Sequence, residues 1–153
     1  GITGMDQWRI TSNMTSNADP ISANLERVDD ASFTKIGTGM TVSSGVWTFP
    51  ETGIWQVFIK FVIYNNNSGD QHGMEIYVST DGGSSWDQIG GCNAGGSNDG
   101  TTHNTAFTAA FVDVTNTSNV KVKFLSNSIT QGLIAGDTNQ TASGFTFIRL
   151  GDT

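Results

Sequence analysis

The chain has 153 residues, and seven lysines and arginines against fourteen aspartates and glutamates leave a formal net charge of −7. The basic residues are scattered, without the run or stripe that phosphate neutralisation needs, so nucleic-acid binding is disfavoured, and the acidity disfavours docking on an anionic membrane. The length suits one domain with a core of its own, and a lone cysteine, Cys92, excludes an intrachain disulfide.

Charged residues are only 14% and glycines number 19, a polar mixture that could indicate disorder. Nine phenylalanines and four tryptophans at strand spacing argue instead for a packed chain. Residues 1–42 are the least regular part. Trp8–Arg9–Ile10 reads as a short strand. Ser22 to Val28 has no sustained helical period and is expected to be irregular or a short strand. Asp29–Asp30, two adjacent acids without further oxygen ligands at loop spacing, read as solvated rather than metal-binding. Residues 1–30 are expected to be a connector or edge segment, and residues 31–153 the domain itself.

The stretch from Ser43 to Tyr64 organises the rest. A short strand, Val46 to Phe49, meets a turn at Pro50–Glu51–Thr52–Gly53, where proline lacks a donor and glycine tolerates positive φ. A long strand follows from Ile54 to Tyr64. Trp55, Val57, Ile59, Phe61 and Ile63 form an unbroken apolar row on one face. Ile54, Gln56, Phe58, Lys60, Val62 and Tyr64 make the other face too apolar for open solvent. Such a strand is expected to be covered twice, once by its own core and once by a neighbouring copy of the chain.

A loop at residues 65–70 precedes a strand at Met74–Ser79, which turns through Thr80 to Ser85 into Trp86–Ile89. Residues 90–105 are glycine-rich and read as a loop around Cys92, with no histidine or basic cluster to activate the thiol. Strands are expected at Ala106–Val114, which carries Phe107 and Phe111, at Val120–Phe124 and at Gly144–Leu150, with loops at 115–118 and 127–141. This spacing, with no convincing helix, indicates an all-β sandwich or barrel.

Few motifs carry chemistry. His72 and His103 lie in polar loop surroundings and read as exposed; they would hold a metal only if the fold or a three-fold axis gathered them. No metal and no cofactor is expected. No serine stands in a nucleophile elbow, no phosphate loop is present and no acid pair is nominated, so no catalytic residue is assigned. Four sequons, at Asn13, Asn66, Asn116 and Asn139, match at the rate expected in so asparagine- and threonine-rich a chain. The run from Ser79 to Trp86 resembles the Asp-box of sialidase-type propellers. The resemblance implies a structural hairpin turn made by Ser79, Asp81, Gly83 and Trp86, with Asp81 satisfying turn amides.

Gly45–Val46–Trp47–Thr48–Phe49–Pro50–Glu51–Thr52–Gly53–Ile54–Trp55 resembles the signature of complement-type globular heads and tumour necrosis factor-like jelly rolls. Trp55 stands where tyrosine is usual. Ala110 to Val114 with Val120 to Val122, and Ser143–Gly144–Phe145, are similar to later strands of that family, although its usual Gly-Asp turn is replaced by Thr117–Ser118–Asn119. The resemblance spans residues 33–150. It implies a jelly-roll β-sandwich of two antiparallel sheets that forms a homotrimer, with Ile54, Gln56, Phe58 and Phe107 towards the axis and Trp55, Val57, Ile59 and Phe61 in the core.

Asp6–Gln7–Trp8–Arg9, Asn24–Leu25–Glu26–Arg27 and Ile36–Gly37–Thr38–Gly39–Met40 resemble modules in structural proteins of marine bacteriophages. That implies a non-enzymatic virion component, a fibre tip or a decoration, adhering to a host surface glycan or to other virion proteins. The expected contact loops, 65–72, 81–86 and 92–104, include Asn65, Asn66, Asn67, Asp70, Asn98 and Asp99. The alternatives are a secreted monomeric carbohydrate-binding module and, third, a glycosidase-like hydrolase.

Overall fold

Alternation along the chain sets the strands, and glycine, asparagine and serine break them. A computed structural model describes residues 1–66 and 70–153, none of them helical. In chain order the strands are β1 (Met5–Ile10), β2 (Leu25–Arg27), β3 (Lys35–Ile36), β4 (Thr41–Ser43), β5 (Val46–Thr48) and β6 (Gly53–Asn66). They continue with β7 (Gln71–Ser79), β8 (Asp87–Gly95), β9 (Thr101–Val114), β10 (Lys121–Asn127), β11 (Leu133–Ile134) and β12 (Gly144–Gly151). One seven-stranded sheet runs β9, β6, β12, β1, β2, with β11 extending the β12 edge of β6 and β3 the β2 edge of β1. The facing sheet runs β4, β5, β10, β7, β8, and every pairing is antiparallel.

The inner rows meet in an aromatic core. Trp47 of β5 lies 5.0 Å edge-on to Trp8 of β1 and 5.1 Å from Phe147 of β12, while Phe124 of β10 stacks on Phe145 at 3.9 Å. These contacts tie sheet to sheet, and offset or edge-to-face ring pairs add to the burial itself. Trp55, Val57, Ile59 and Phe61 lie in this core, all but inaccessible to solvent.

The first thirty residues belong to the sandwich. β1 sits between β12 and β2, and Ile10 and Ile21 join the core. A boundary at residue 30 therefore separates no two units of this fold. Two ion-pair groups hold the segment. Asp6 is 0% exposed, and its carboxylate accepts from Arg27 Nε (2.9 Å), Arg27 Nη2 (3.1 Å), Trp8 Nε1 (2.9 Å) and the Met40 amide (2.7 Å). Arg27 also donates to the Met40 carbonyl and covers the Trp8 ring at 4.6 Å. At Gly39, whose φ is +79°, a Cβ would stand 2.9 Å from the Asp6 carboxylate, so only glycine fits beside it. Arg9, 2% exposed, pairs with Glu26 (3.0 Å), Asp29 (2.5 Å) and Asp30 (3.4 Å). Asp29 and Asp30 are exposed, as expected, and each also pairs with the buried guanidinium.

Two further expectations change. The glycine-rich loop is residues 96–100 rather than 90–105, because β8 runs to Gly95 and β9 starts at Thr101. β8 is an edge strand, where a ladder on one side alone tolerates glycine in the interior. β6 likewise continues through Asn65 and Asn66, paired with Thr102 and Thr101 of β9.

Candidate self-association face and ligand surfaces

β6 and β9 pair over their full length, and their even–odd alternation sorts two very different surfaces. β9 turns its small residues Ala106 and Ala110 inward with Val112 and Val114, and its phenylalanines outward. Phe107 is 68% exposed and Phe111 67%. On β6 the half-buried Ile54, Gln56, Phe58, Val62 and Tyr64 share that outer face, with Lys60 exposed among them. Phe58 and Phe107 stack at 6.0 Å with planes 6° apart. A depression of about 320 Å³ lies beside them, lined by Phe58, Lys60, Thr105 and Phe107. The four residues expected at an axis, Ile54, Gln56, Phe58 and Phe107, therefore lie on one face of neighbouring strands. Phe111, opposite Gln56, and Ile148 of β12, also opposite Gln56, extend it. Their signal was the inverted size pattern of β9, large residues alternating with alanines on the inner side.

The expected contact loops divide. Asn65 is wholly buried: it is the last inward position of β6, donates from Nδ2 to the Asp70 carbonyl (2.9 Å) and is packed under Gly132 and Gly96. A polar residue at the end of an inward row caps the core instead of meeting a ligand. Asp70 accepts from the amides of Thr130 (2.9 Å), Gln131 (2.7 Å) and Gln71 (3.0 Å). Burial acts to raise its pKa, but those amide hydrogen bonds prevail and hold the carboxyl below its usual value. It is a turn cap. Asn66 is exposed at the end of β6, Asn98 and Asp99 are exposed in the 96–100 turn, and Asn67 lies outside the described residues.

His72 is not exposed as expected. It faces inward on β7 and is fully buried, with Nδ1 3.4 Å from the Ser128 carbonyl and 3.6 Å from Asp70. His103 is exposed on the outer face of β9, 4.9 Å from the Tyr64 ring. Within one chain the two histidines face opposite ways, and no group of three His, Cys, Asp or Glu that could hold a metal occurs among the described residues.

The hairpin between β7 and β8 is a tightly bonded turn. Asp81 Oδ1 accepts from the amides of Ser84 (3.0 Å) and Ser85 (2.9 Å), Oδ2 from the Ser85 hydroxyl (2.6 Å), and the Ser79 hydroxyl accepts from the Gly83 amide (2.8 Å). Gly83 has φ of +100°, and Trp86 Nε1 donates to its carbonyl. The Ser85 hydroxyl foremost, with the Ser85 amide and Ser79 hydroxyl, holds Asp81 down to about 2. Its contribution to the turn is complete above the ordinary carboxylate value and is lost as pH falls through about 2. Amide exchange at Ser84 and Ser85 is expected to accelerate relative to neighbouring strand amides over that acid range. Asp81→Ala should show the fast exchange at every pH.

Burial pushes the Cys92 thiol up to about 11. The half-buried side chain is expected to react with a disulfide reagent at pH 8 at least about tenfold more slowly than in the urea-unfolded chain. Equal rates would show the site open.

Neither a family model nor a curated protein matches the chain. Solved structures do. Murine APRIL at pH 5.0 superposes with a TM-score of 0.67 at 9% identity, over 96% of this chain and 98% of that one. The structure of Eiger TNF from S. frugiperda superposes with a TM-score of 0.61 at 12% identity, over 97% and 93%. The fold is a tumour necrosis factor-like jelly roll. At 96% of the chain or more, the likeness takes in most of residues 1–30 as well.

Proposed function

We propose that the chain is a non-enzymatic, homotrimeric jelly-roll module that adheres to a surface, with the outer face of the seven-stranded sheet as the subunit contact. The observation that carries this is the stacked Phe58–Phe107 pair with Phe111 beside it, more aromatic surface than an isolated soluble molecule leaves in water. Tumour necrosis factor-like jelly rolls form homotrimers, which supports self-association. The proposed setting is a virion appendage or capsid decoration, supported by the resemblance of the β1, β2 and β3 segments to phage structural modules. Three copies of each loop and of each outer sheet would then let weak contacts add by avidity. A secreted monomeric carbohydrate-binding module, the alternative, would leave the stacked phenyl rings in solvent. Light scattering on a size-exclusion column is the test. A mass three times 16.3 kDa is expected; a monomer at micromolar concentration would sink the reading.

A further inference from the structure

The five-stranded sheet has an outer face of a different character, on the far side of the sandwich from the phenylalanine face. Along β7 its outward residues are Gly73, Glu75 and Tyr77, flanked by Asn93, Gly91 and Gln88 on β8 and by Asn127, Leu125 and Lys123 on β10. At Gly73 the face has no side chain of its own, and the carboxamides of its two cross-strand neighbours close in. The Oδ1 atoms of Asn93 and Asn127 each stand 2.5 Å from the point a Cβ of Gly73 would occupy. Neither oxygen accepts a hydrogen bond from a described residue, although Asn127 Nδ2 donates to Glu75 (2.8 Å). Two converging acceptors that no protein donor fills are open to hydroxyl or amine groups from outside.

Farther along β7 the surface becomes aromatic. The Tyr77 hydroxyl donates to Glu75 (3.0 Å), and Lys123 Nζ lies 5.5 Å from the Tyr77 ring and 5.1 Å from the Trp86 ring while pairing with Asp19 (2.9 Å). The ammonium holds both half-buried rings in place. Between Gly73 and Tyr77 the charges are matched: Glu75 accepts from Tyr77 and Asn127, and Lys123 pairs with Asp19, while Lys121, one outward position farther along β10, bonds the Thr48 hydroxyl and the Thr117 carbonyl. What the face still offers is apolar ring surface at one end and free amide oxygens at the other. Between Gly73 and Tyr77 a charged ligand finds no unmatched counter-charge, whereas a ligand with C–H faces and donating hydroxyls meets both ends.

We propose that this face binds a neutral oligosaccharide lying along β7, with sugar C–H surface against Tyr77 and Trp86 and hydroxyls donating to Asn93 and Asn127. Four residues of strand separate Gly73 from Tyr77, about 13 Å at ~3.3 Å per residue, too long for one sugar ring. The proposal rests on the adhesive reading and moves the glycan contact from the loops to the sheet, where it stays accessible when the opposite face is covered.

The test is a titration of the intact chain with maltotriose, cellotriose, chitotriose and β-1,4-mannotriose, followed by amide and indole resonances, with the native mass measured in the same buffer. At least one trisaccharide is expected to shift the Gly73 and Gly91 amides and the Trp86 indole together at millimolar concentration. Asn93→Ala is exposed and makes no hydrogen bond that the fold needs, so it should fold normally and bind about tenfold more weakly, the effect of one lost hydrogen bond. Asn98→Ala, in the 96–100 turn, should bind as the parent does. Absence of shifts with all four sugars, shifts confined to residues 96–100 and 128–132, or undiminished binding by Asn93→Ala would each overturn the site. A monomeric mass with the sheet shifts intact would remove the trimer and leave the site standing.

Discussion

Asp6→Ala is expected to destabilise the chain by about 3–5 kcal/mol, the range for removing one partner of a buried ion pair. Asp6 receives four donors and is shut off from water. Its loss strands the Arg27 guanidinium against Trp8 and leaves the Met40 amide and Trp8 indole without acceptors. Because the orphaned groups must be desolvated without compensation, the cost exceeds that of a surface pair. For a chain of this size the melting temperature should fall by roughly 6–20 °C. Asp6→Ala with Arg27→Met should recover part of the loss, since the stranded charge is gone. Melting curves must be compared at one protein concentration if the chain associates. A drop of under about 1 kcal/mol, within the range of an exposed ion pair, would show that the network is not what anchors β1 to β2 and to the segment before β4.

If the proposed trimer forms, Phe107→Asp is expected to convert it to a species of 16.3 kDa, with the circular dichroism of the sandwich retained. Among the described residues Phe107 makes one ring contact, with Phe58, and it is 68% exposed, so the isolated fold loses little. In a covered interface the same change buries an unpaired carboxylate and removes an aromatic anchor, a loss of at least about 2 kcal/mol per subunit contact. Phe58→Asp should act alike, as should Phe111→Asp. Retention of the parent's mass by Phe107→Asp would mean that this face does not join the copies. Folding is controlled independently by the core row of β6, which none of these substitutions touches.

Much of the architecture was legible because period-two patterns are strong where both rows are large. The inner row from Trp55 to Phe61 and the turn at Pro50–Gly53 were of that kind. The outer row of β6 stood out because phenylalanine, isoleucine and valine occupy positions that water usually claims. The N-terminal strands were harder to see. β1 is held by a carboxylate, a guanidinium, a tryptophan and a backbone amide drawn from three segments, and such a network has no period. The phage-like words Asp6 to Arg9, Asn24 to Arg27 and Ile36 to Met40 turn out to contain its members. Asn65 and His72 misled for a related reason: polar residues at strand ends look like loop, yet here they plug the end of the core. The two amide oxygens over Gly73 could not be anticipated at all, because they come from β8 and β10 and meet only across the middle strand.

The pairing of β1 with β12 has a geometric corollary. Met5 stands opposite Ile148, and Gly151 stands beside Ile54 at the start of β6, whereas Asn66 and Thr101 mark that ribbon's other extremity. Both termini therefore emerge from a single pole, and the 96–100 turn crowns the opposite one. Any polypeptide attached to either terminus would leave the module at the pole away from that turn.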